Sequence, residues 1–266
     1  MNVLYEDNQI IVVEKEPNIP SQADKTGDID MLTLVKQYIK EKYNKPGDVY
    51  IGLVHRLNRP VGGVMVFART SKSASRLSEQ VRNKTLQKTY IAVVDGKIEE
   101  KTGTLEDYLY KDERNNISKV VNKDKKNAKL AKLDYEVLGY DEKRDLTTVK
   151  IHLHTGRHHQ IRVQFANFGH SLFGDQKYGT RGRGKQIRLW ASELTFEHPV
   201  TKEMLTFKSL CHWGRGSLTQ TFKFISYINI IHIYSFKKFI TKSIKTSFSF
   251  GFDSFISIYK YMIFYC

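Results

Sequence analysis

The sequence predicts an α+β fold with a mixed, largely antiparallel sheet and flanking helices. Strand-like segments outnumber helical ones, and most follow one another with no helix between them, which favours antiparallel neighbours over βαβ crossovers. No fixed-period repeat runs through the chain, which argues against a solenoid or propeller.

The elements can be justified in order. "VLYEDNQIIVVEKE" alternates around Asp7-Asn8, as a strand, turn and strand would. "DIDMLTLVKQYIKEKYNKPG" sets Met31, Leu34, Val35, Tyr38 and Ile39 at helical spacing, with Pro46-Gly47 beyond the helix end. "GGVMVFART" predicts a strand, and Ser71 is placed to cap a following helix, "KSASRLSEQVRN". "KTYIAVVDG" predicts a strand that ends in a glycine turn. Further strands are expected at "TLEDYLY", "AKLDYEVLGY" and "TTVKIHLHT". A helix near "HHQIRVQFANFG" comes next, then strands at "QIRLWASELTF" and "EMLTFKS".

Composition bounds the function. The chain has 266 residues, with 43 Lys+Arg against 28 Asp+Glu and a formal charge of +15. Such a surface attracts polyanions and points to RNA, DNA or an anionic membrane. Cys211 and Cys266, the two cysteines, fit neither a CxxC motif nor a structural zinc site, and suit a reducing, cytoplasmic compartment. The N-terminus carries early acidic residues and lacks the unbroken apolar core of a signal peptide, which argues against secretion.

Composition changes near Trp213, so the expected organisation is one domain over 1–213 and a tail over 214–266. The tail has no Ala, Val, Glu or Pro and is largely Phe, Ile, Tyr, Ser and Lys. Its apolar run from Phe224 to Phe236 lies between lysines, well short of the ~20 residues of a membrane span. Residues of this kind are those that A/T-rich codons encode. The tail therefore reads as translation from a shifted frame or past a lost stop, and not as a domain. Residues 1–213 keep +9 of the charge without it.

Four segments could carry chemistry: "HRLN" at 55–58, "KTYIAVVDG" at 88–96, "TGRHHQIR" at 155–162 and "GDQKYG" at 174–179. Each has an ordinary reading alone. His152, His154, His158 and His159 cluster in sequence, but no carboxylate or cysteine sits at ligand spacing beside them, so no metal is expected. "GDQKYG" lacks the spacing of a phosphate-binding P-loop. "GTRGRGKQIR" fits a loop contacting phosphates and equally a solvated surface loop.

Taken together and in order, the segments resemble the RluA family of RNA pseudouridine synthases from about Asn2 to Leu210. "GLVHRLNRPVGGVMVFART" is similar to that family's HRLD motif and following strand, and "KTYIAVVDG" to its K-x-Y-x-A-x-V-x-G motif. "LHTGRHHQIRVQFANFGHSLFGDQKYG" and "RLWASELTFEHPVTKEMLTFKS" resemble its later motif and closing strands. The N-terminal side shows no S4-type RNA-binding module.

The resemblance implies the pseudouridine-synthase fold with a central catalytic cleft. It implies isomerisation of uridine to pseudouridine in ribosomal or transfer RNA, with no cofactor, no metal, RNA as partner and no membrane. A monomer is expected. Tyr90 matches the tyrosine that stacks on the flipped base and assists loss of its C5 proton, and Arg162 the arginine that pairs with the catalytic aspartate. His55, Arg56, Arg157, His159 and Gln160 would lie along the RNA-binding cleft.

The family's catalytic aspartate is matched here by Asn58. An amide keeps the shape and one acceptor oxygen but loses the charge, the nucleophile and the base. Arg162 would then face a neutral group, with Asp175 and Asp107 as the acids able to relieve it. The sequence thus leaves three readings open: a synthase inactivated by the change at position 58, an RNA-binding, RNA-folding or ribosome-assembly factor that keeps the fold alone, and a synthase in which another carboxylate substitutes and activity persists.

Overall fold

The chain begins with an antiparallel hairpin, β1 (Asn2–Glu6) and β2 (Ile10–Lys15). Asp7 makes the turn, its carboxylate accepting from the N–H groups of Gln9 at 2.7 Å and Ile10 at 2.8 Å. The computed structural model describes residues 1–211 and 213, and residues 1–211 form one compact unit. The expectation for the tail over 214–266 lies outside the described residues.

Helix α1 (Met31–Lys42) is capped by Asp30, which accepts from the Thr33 N–H at 3.2 Å. Met31, Val35 and Ile39 are buried, and Leu34 and Tyr38 pack half-buried beside them. A two-residue strand, β3 (Gly52–Leu53), precedes β4 (Gly62–Ala68), whose residues are all buried. Helix α2 (Ser71–Arg82) follows. Its cap is Thr70 and not Ser71: Thr70 Oγ1 accepts from the Ser73 N–H at 3.1 Å, and Ser71 has already entered the helix.

The remaining strands are β5 (Gln87–Asp95), β6 (Thr102–Asp112), β7 (Ile117–Val121), β8 (Lys129–Asp141), β9 (Leu146–Leu153), β10 (Leu189–Glu197) and β11 (Met204–Lys208). Helix α3 (Gln160–Asn167) lies between β9 and β10. The strands form one sheet in the order β1-β2-β4-β10-β5-β9-β8-β6-β7, with β11 beside β10 and β3 beside β4. Among the described strands one pairing is parallel, β4 with β10, so the architecture is the mixed, mostly antiparallel α+β arrangement expected.

Alternation in the strands separates two apolar layers. Ile11, Val13, Phe67, Val149 and Ile151 pack with Val35 and Ile39 of α1 and Phe165 of α3. Ile10, Val12, Val66, Leu194 and Phe196 pack on the other face with Leu77 of α2.

The β4–β10 junction positions the site. Trp190 and Ala191 pair with Gly62 and Gly63 and with no later residue of β4. A Cβ at Gly62 would fall 2.2 Å from the Trp190 ring, and one at Gly63 would fall 2.2 Å from the Ala191 carbonyl oxygen. Gly63 also has φ +123°, a conformation that L side chains rarely adopt. Past this pinch β4 leaves β10, and the loop from Val54 to Val61 meets β4 through His55 at Val66, while β3 pairs with Phe67 and Ala68.

Candidate active site

That loop carries "HRLN", and its backbone is held on both sides of Asn58. Ser21 Oγ accepts from the Leu57 N–H at 3.1 Å and donates to the Leu57 carbonyl at 2.9 Å. The Arg59 carbonyl accepts from Lys15 Nζ at 3.0 Å and from the Asn18 N–H at 2.8 Å. Gln186 donates to the Pro60 carbonyl at 2.6 Å, and the Val61 N–H closes a turn on the Asn58 carbonyl at 2.9 Å. None of these bonds uses the Asn58 side chain, which is half-buried. Lys15 is fully buried, and burial pulls its ammonium down to about 7.

His55 substitutes for a missing strand neighbour. Its Nε2 accepts from the Val66 N–H at 3.1 Å, on the β4 edge that β10 has left. The proton of the neutral ring therefore sits on Nδ1, which is buried and has no partner among the described residues. Burial, and then the charge of Lys88, pull His55 down to about 3. Lys88 and Tyr90 lie two residues apart on β5 and so share one face. Tyr90 is buried in the larger core cluster, and burial pushes its phenol well above the ordinary range. Lys88 Nζ lies 3.9 Å from where a side chain on Gly156 would begin. The first three predicted segments therefore meet here, through His55, Lys88 and Gly156. Lys88 was missed as a site residue, although the lysine of "KTY" was its signal.

The loop before α3 is built by Gln160. Its Oε1 accepts from Thr155 Oγ1 at 2.8 Å and from the Arg157 N–H at 3.0 Å, and its Nε2 donates to the Lys132 carbonyl at 3.1 Å. His159, in a left-handed conformation at φ +55°, occupies the N-cap position without a side-chain capping bond. Tyr178 Oη accepts from the Ser118 N–H at 2.8 Å and shares a hydrogen bond with His159 Nδ1 at 2.9 Å. Burial, with Arg162 close by, pulls His159 down to about 2. Both residues are buried and bonded inward, so they set the loop's shape.

Arg162 takes Asp175, one of the two acids expected to relieve it, as its ion-pair partner. Its Nε and Nη2 bind the two carboxylate oxygens of Asp175 at 2.7 and 2.5 Å, with both side chains buried. Its guanidinium also stacks over the Tyr178 ring at 5.2 Å. Arg162 thus reaches "GDQKYG", where it forms a fork-to-fork pair. Asp107 binds Gln164 and Asn167 instead.

Arg56 and Arg157 are exposed, the latter anchored through its Nε to the Leu130 carbonyl at 2.8 Å. In the arginine-rich loop, Arg181 pairs with Asp145 at 2.5 Å and Arg188 stacks on Phe173 at 4.4 Å. His154 meets a carboxylate that sequence spacing concealed, Asp134 on β8, at 2.6 Å. Among the described residues, no group of three or more His, Cys, Asp or Glu is arranged for a metal, and no helix is long and apolar enough to cross a membrane.

The chain belongs to the RNA pseudouridylate synthase family, as an RluA-type member, and the family's model matches residues 9–167. It is 31% identical over 209 residues to the uncharacterized RNA pseudouridine synthase YhcT of Bacillus subtilis, covering 77% of this chain and 67% of that protein. It is 30% identical over 226 residues to the ribosomal large subunit pseudouridine synthase D of Haemophilus influenzae, covering 77% and 65%. The solved human RNA pseudouridylate synthase domain containing 4 shares the fold, with a TM-score of 0.66 at 20% identity, over 80% of this chain and 89% of that one.

Proposed function

We propose that the chain is an RNA pseudouridine synthase framework for ribosomal or transfer RNA, in which Asn58 withholds the chemistry that an aspartate would supply. The observation that carries this reading is the clamped loop: Ser21, Lys15, Asn18 and Gln186 fix the backbone around position 58 without using its side chain. Backbone held so firmly is what a positioned reacting group requires.

In the reaction, the C1′–N1 bond of a uridine extruded from its stack breaks, the uracil turns, and C5 bonds to C1′ as the C5 proton leaves. A carboxylate at 58 would act on the sugar or base, with Tyr90 against the ring and Arg56 and Arg157 near the strand. The amide offers neither a base nor a nucleophile, and loss of a covalently acting residue costs several decades in rate. The protein would act as a monomer in the cytoplasm. The basic surface favours a second reading, an RNA-binding or ribosome-assembly factor that needs no catalysis.

One experiment separates the two. Ribosomal and transfer RNA from cells lacking the protein is incubated with the chain and with Asn58→Asp, and pseudouridine is mapped. Product from Asn58→Asp alone supports the framework reading. Product from the unaltered chain would overturn the role given to Asn58, and none from either would favour the binding factor.

A further inference from the structure

Strand β5 carries a cation, Lys88, with no acid to balance it among the described residues. Lys88 is drawn into the protein from β5, and burial alone pulls its ammonium below the ordinary lysine range. Half-buried, it makes no hydrogen bond or ion pair among the described residues, whereas two fully buried cations do: Arg162 has Asp175, and Lys15 has two backbone carbonyls. Its surroundings add donors and no acceptor charge. His55 presents a buried, unpartnered Nδ1–H, and Gly156 brings backbone without a side chain to within reach of Nζ. A partly desolvated ammonium in that setting gains stability when a ligand brings negative charge to it.

We propose that Lys88 binds a phosphate oxygen of the RNA strand, flanking the nucleotide held beside Tyr90. This rests on the RNA reading above and adds to it a specific anion subsite. The ligand is a phosphodiester because its charge is permanent. Gly156 leaves the approach open to a tetrahedral group, and the shared strand face puts Lys88 one pleat from Tyr90. Lys88 is here a positioning residue: it would fix the strand and take no part in bond making.

The test measures binding of the full chain to a uridine-containing RNA hairpin across a salt series. A second hairpin carries uncharged methylphosphonate linkages on both sides of the uridine. Lys88→Met should weaken binding about tenfold or more and flatten the plot of log K against log salt by about 0.7, the value of one single-strand phosphate contact. Lys88→Arg should keep most of the slope, and Lys72→Met, an exposed control, should leave binding near the parent's. The methylphosphonate hairpin should cost the parent the same factor and cost Lys88→Met nothing further.

Equal slopes for the parent and Lys88→Met, with the parent binding RNA, would overturn the proposal and leave the RNA reading intact. An absence of salt-dependent binding by the parent would overturn the RNA reading itself. Without RNA, Lys88→Met should melt no lower than the parent; a lower melting temperature would reveal a native partner for Lys88 and refute the premise.

Discussion

The Arg162–Asp175 pair allows a quantitative test of which acid this arginine needs. Both side chains are almost wholly buried, at 5% and 0% exposure, and two hydrogen bonds join them. Asp175 also accepts from the N–H groups of Lys177 at 2.9 Å and Tyr178 at 3.1 Å, so the carboxylate folds its own loop. In Asp175→Asn, one oxygen could keep the backbone bonds, but the amide NH2 would point donors at the guanidinium. Removing one partner of a buried ion pair costs roughly 3–5 kcal/mol. That is a large share of the ~5–15 kcal/mol that stabilises an ordinary protein. For a domain of this size it lowers the melting temperature by about 6–20 °C.

The companion variant is Asn58→Asp. Arg162 already has its acid, so a carboxylate at 58 should change stability by less than ~1 kcal/mol, the usual range for a substitution that disturbs no buried partner. Urea unfolding followed by circular dichroism and by fluorescence of the buried Trp190 measures both variants. The reasoning fails if the pattern inverts. A gain of several kcal/mol from Asn58→Asp, with little loss from Asp175→Asn, would mean that Arg162 depends on position 58.

Three further outcomes follow from the same structure. His55 is neutral in the fold at about 3 and near 6.5 when unfolded, so only the unfolded chain takes up a proton as pH falls between those values. Stability should therefore drop by about 2 kcal/mol from this residue between pH 7 and pH 5. His158 and His159, also held low, act in the same direction. Urea midpoints at the two pH values check this, and His55→Gln, which keeps an acceptor for Val66, should shrink the difference. Lys15, at about 7 in the fold against about 10.5 unfolded, makes stability rise as pH goes from 7 to 10.5. Lys15→Met should abolish that part of the rise, and an unchanged slope would show that Lys15 is solvated. Gly63→Ala meets the Ala191 carbonyl at 2.2 Å with φ at +123°, and should cost about 3 kcal/mol or more by thermal melting.

The sequence made local features legible and concealed those that depend on distant chain. Asp7-Asn8 announced the first hairpin because the turn bonds lie within three residues. The face of α1 was readable because Met31, Val35 and Ile39 recur at the helical period. Strands β3 and β7 were missed: one is two residues long, and the other, "ISKVV", carries a lysine within its apolar run. Lys15 reads as the polar end of a strand. It is buried because the Arg59 carbonyl, 44 residues away, returns to receive it. Asp175 was legible as one of two acids available to Arg162, but only the folded chain selects it over Asp107 and over position 58.

These pairings change the meaning of the amide at position 58. Had Arg162 depended on that side chain, replacing aspartate by asparagine would have harmed folding and chemistry together. Here the two separate. Backbone bonds from Ser21, Lys15, Asn18 and Gln186 hold the loop whatever side chain stands at 58, and Asp175 neutralises Arg162. The group left unbalanced is Lys88, whose charge asks for an anion that a bound strand can bring. On the function proposed above, a chain with Asn58 keeps the fold and the backbone of the site while lacking the carboxylate assigned to position 58. Restoring that carboxylate should then repair chemistry without repairing stability, because the surrounding backbone already stands in place.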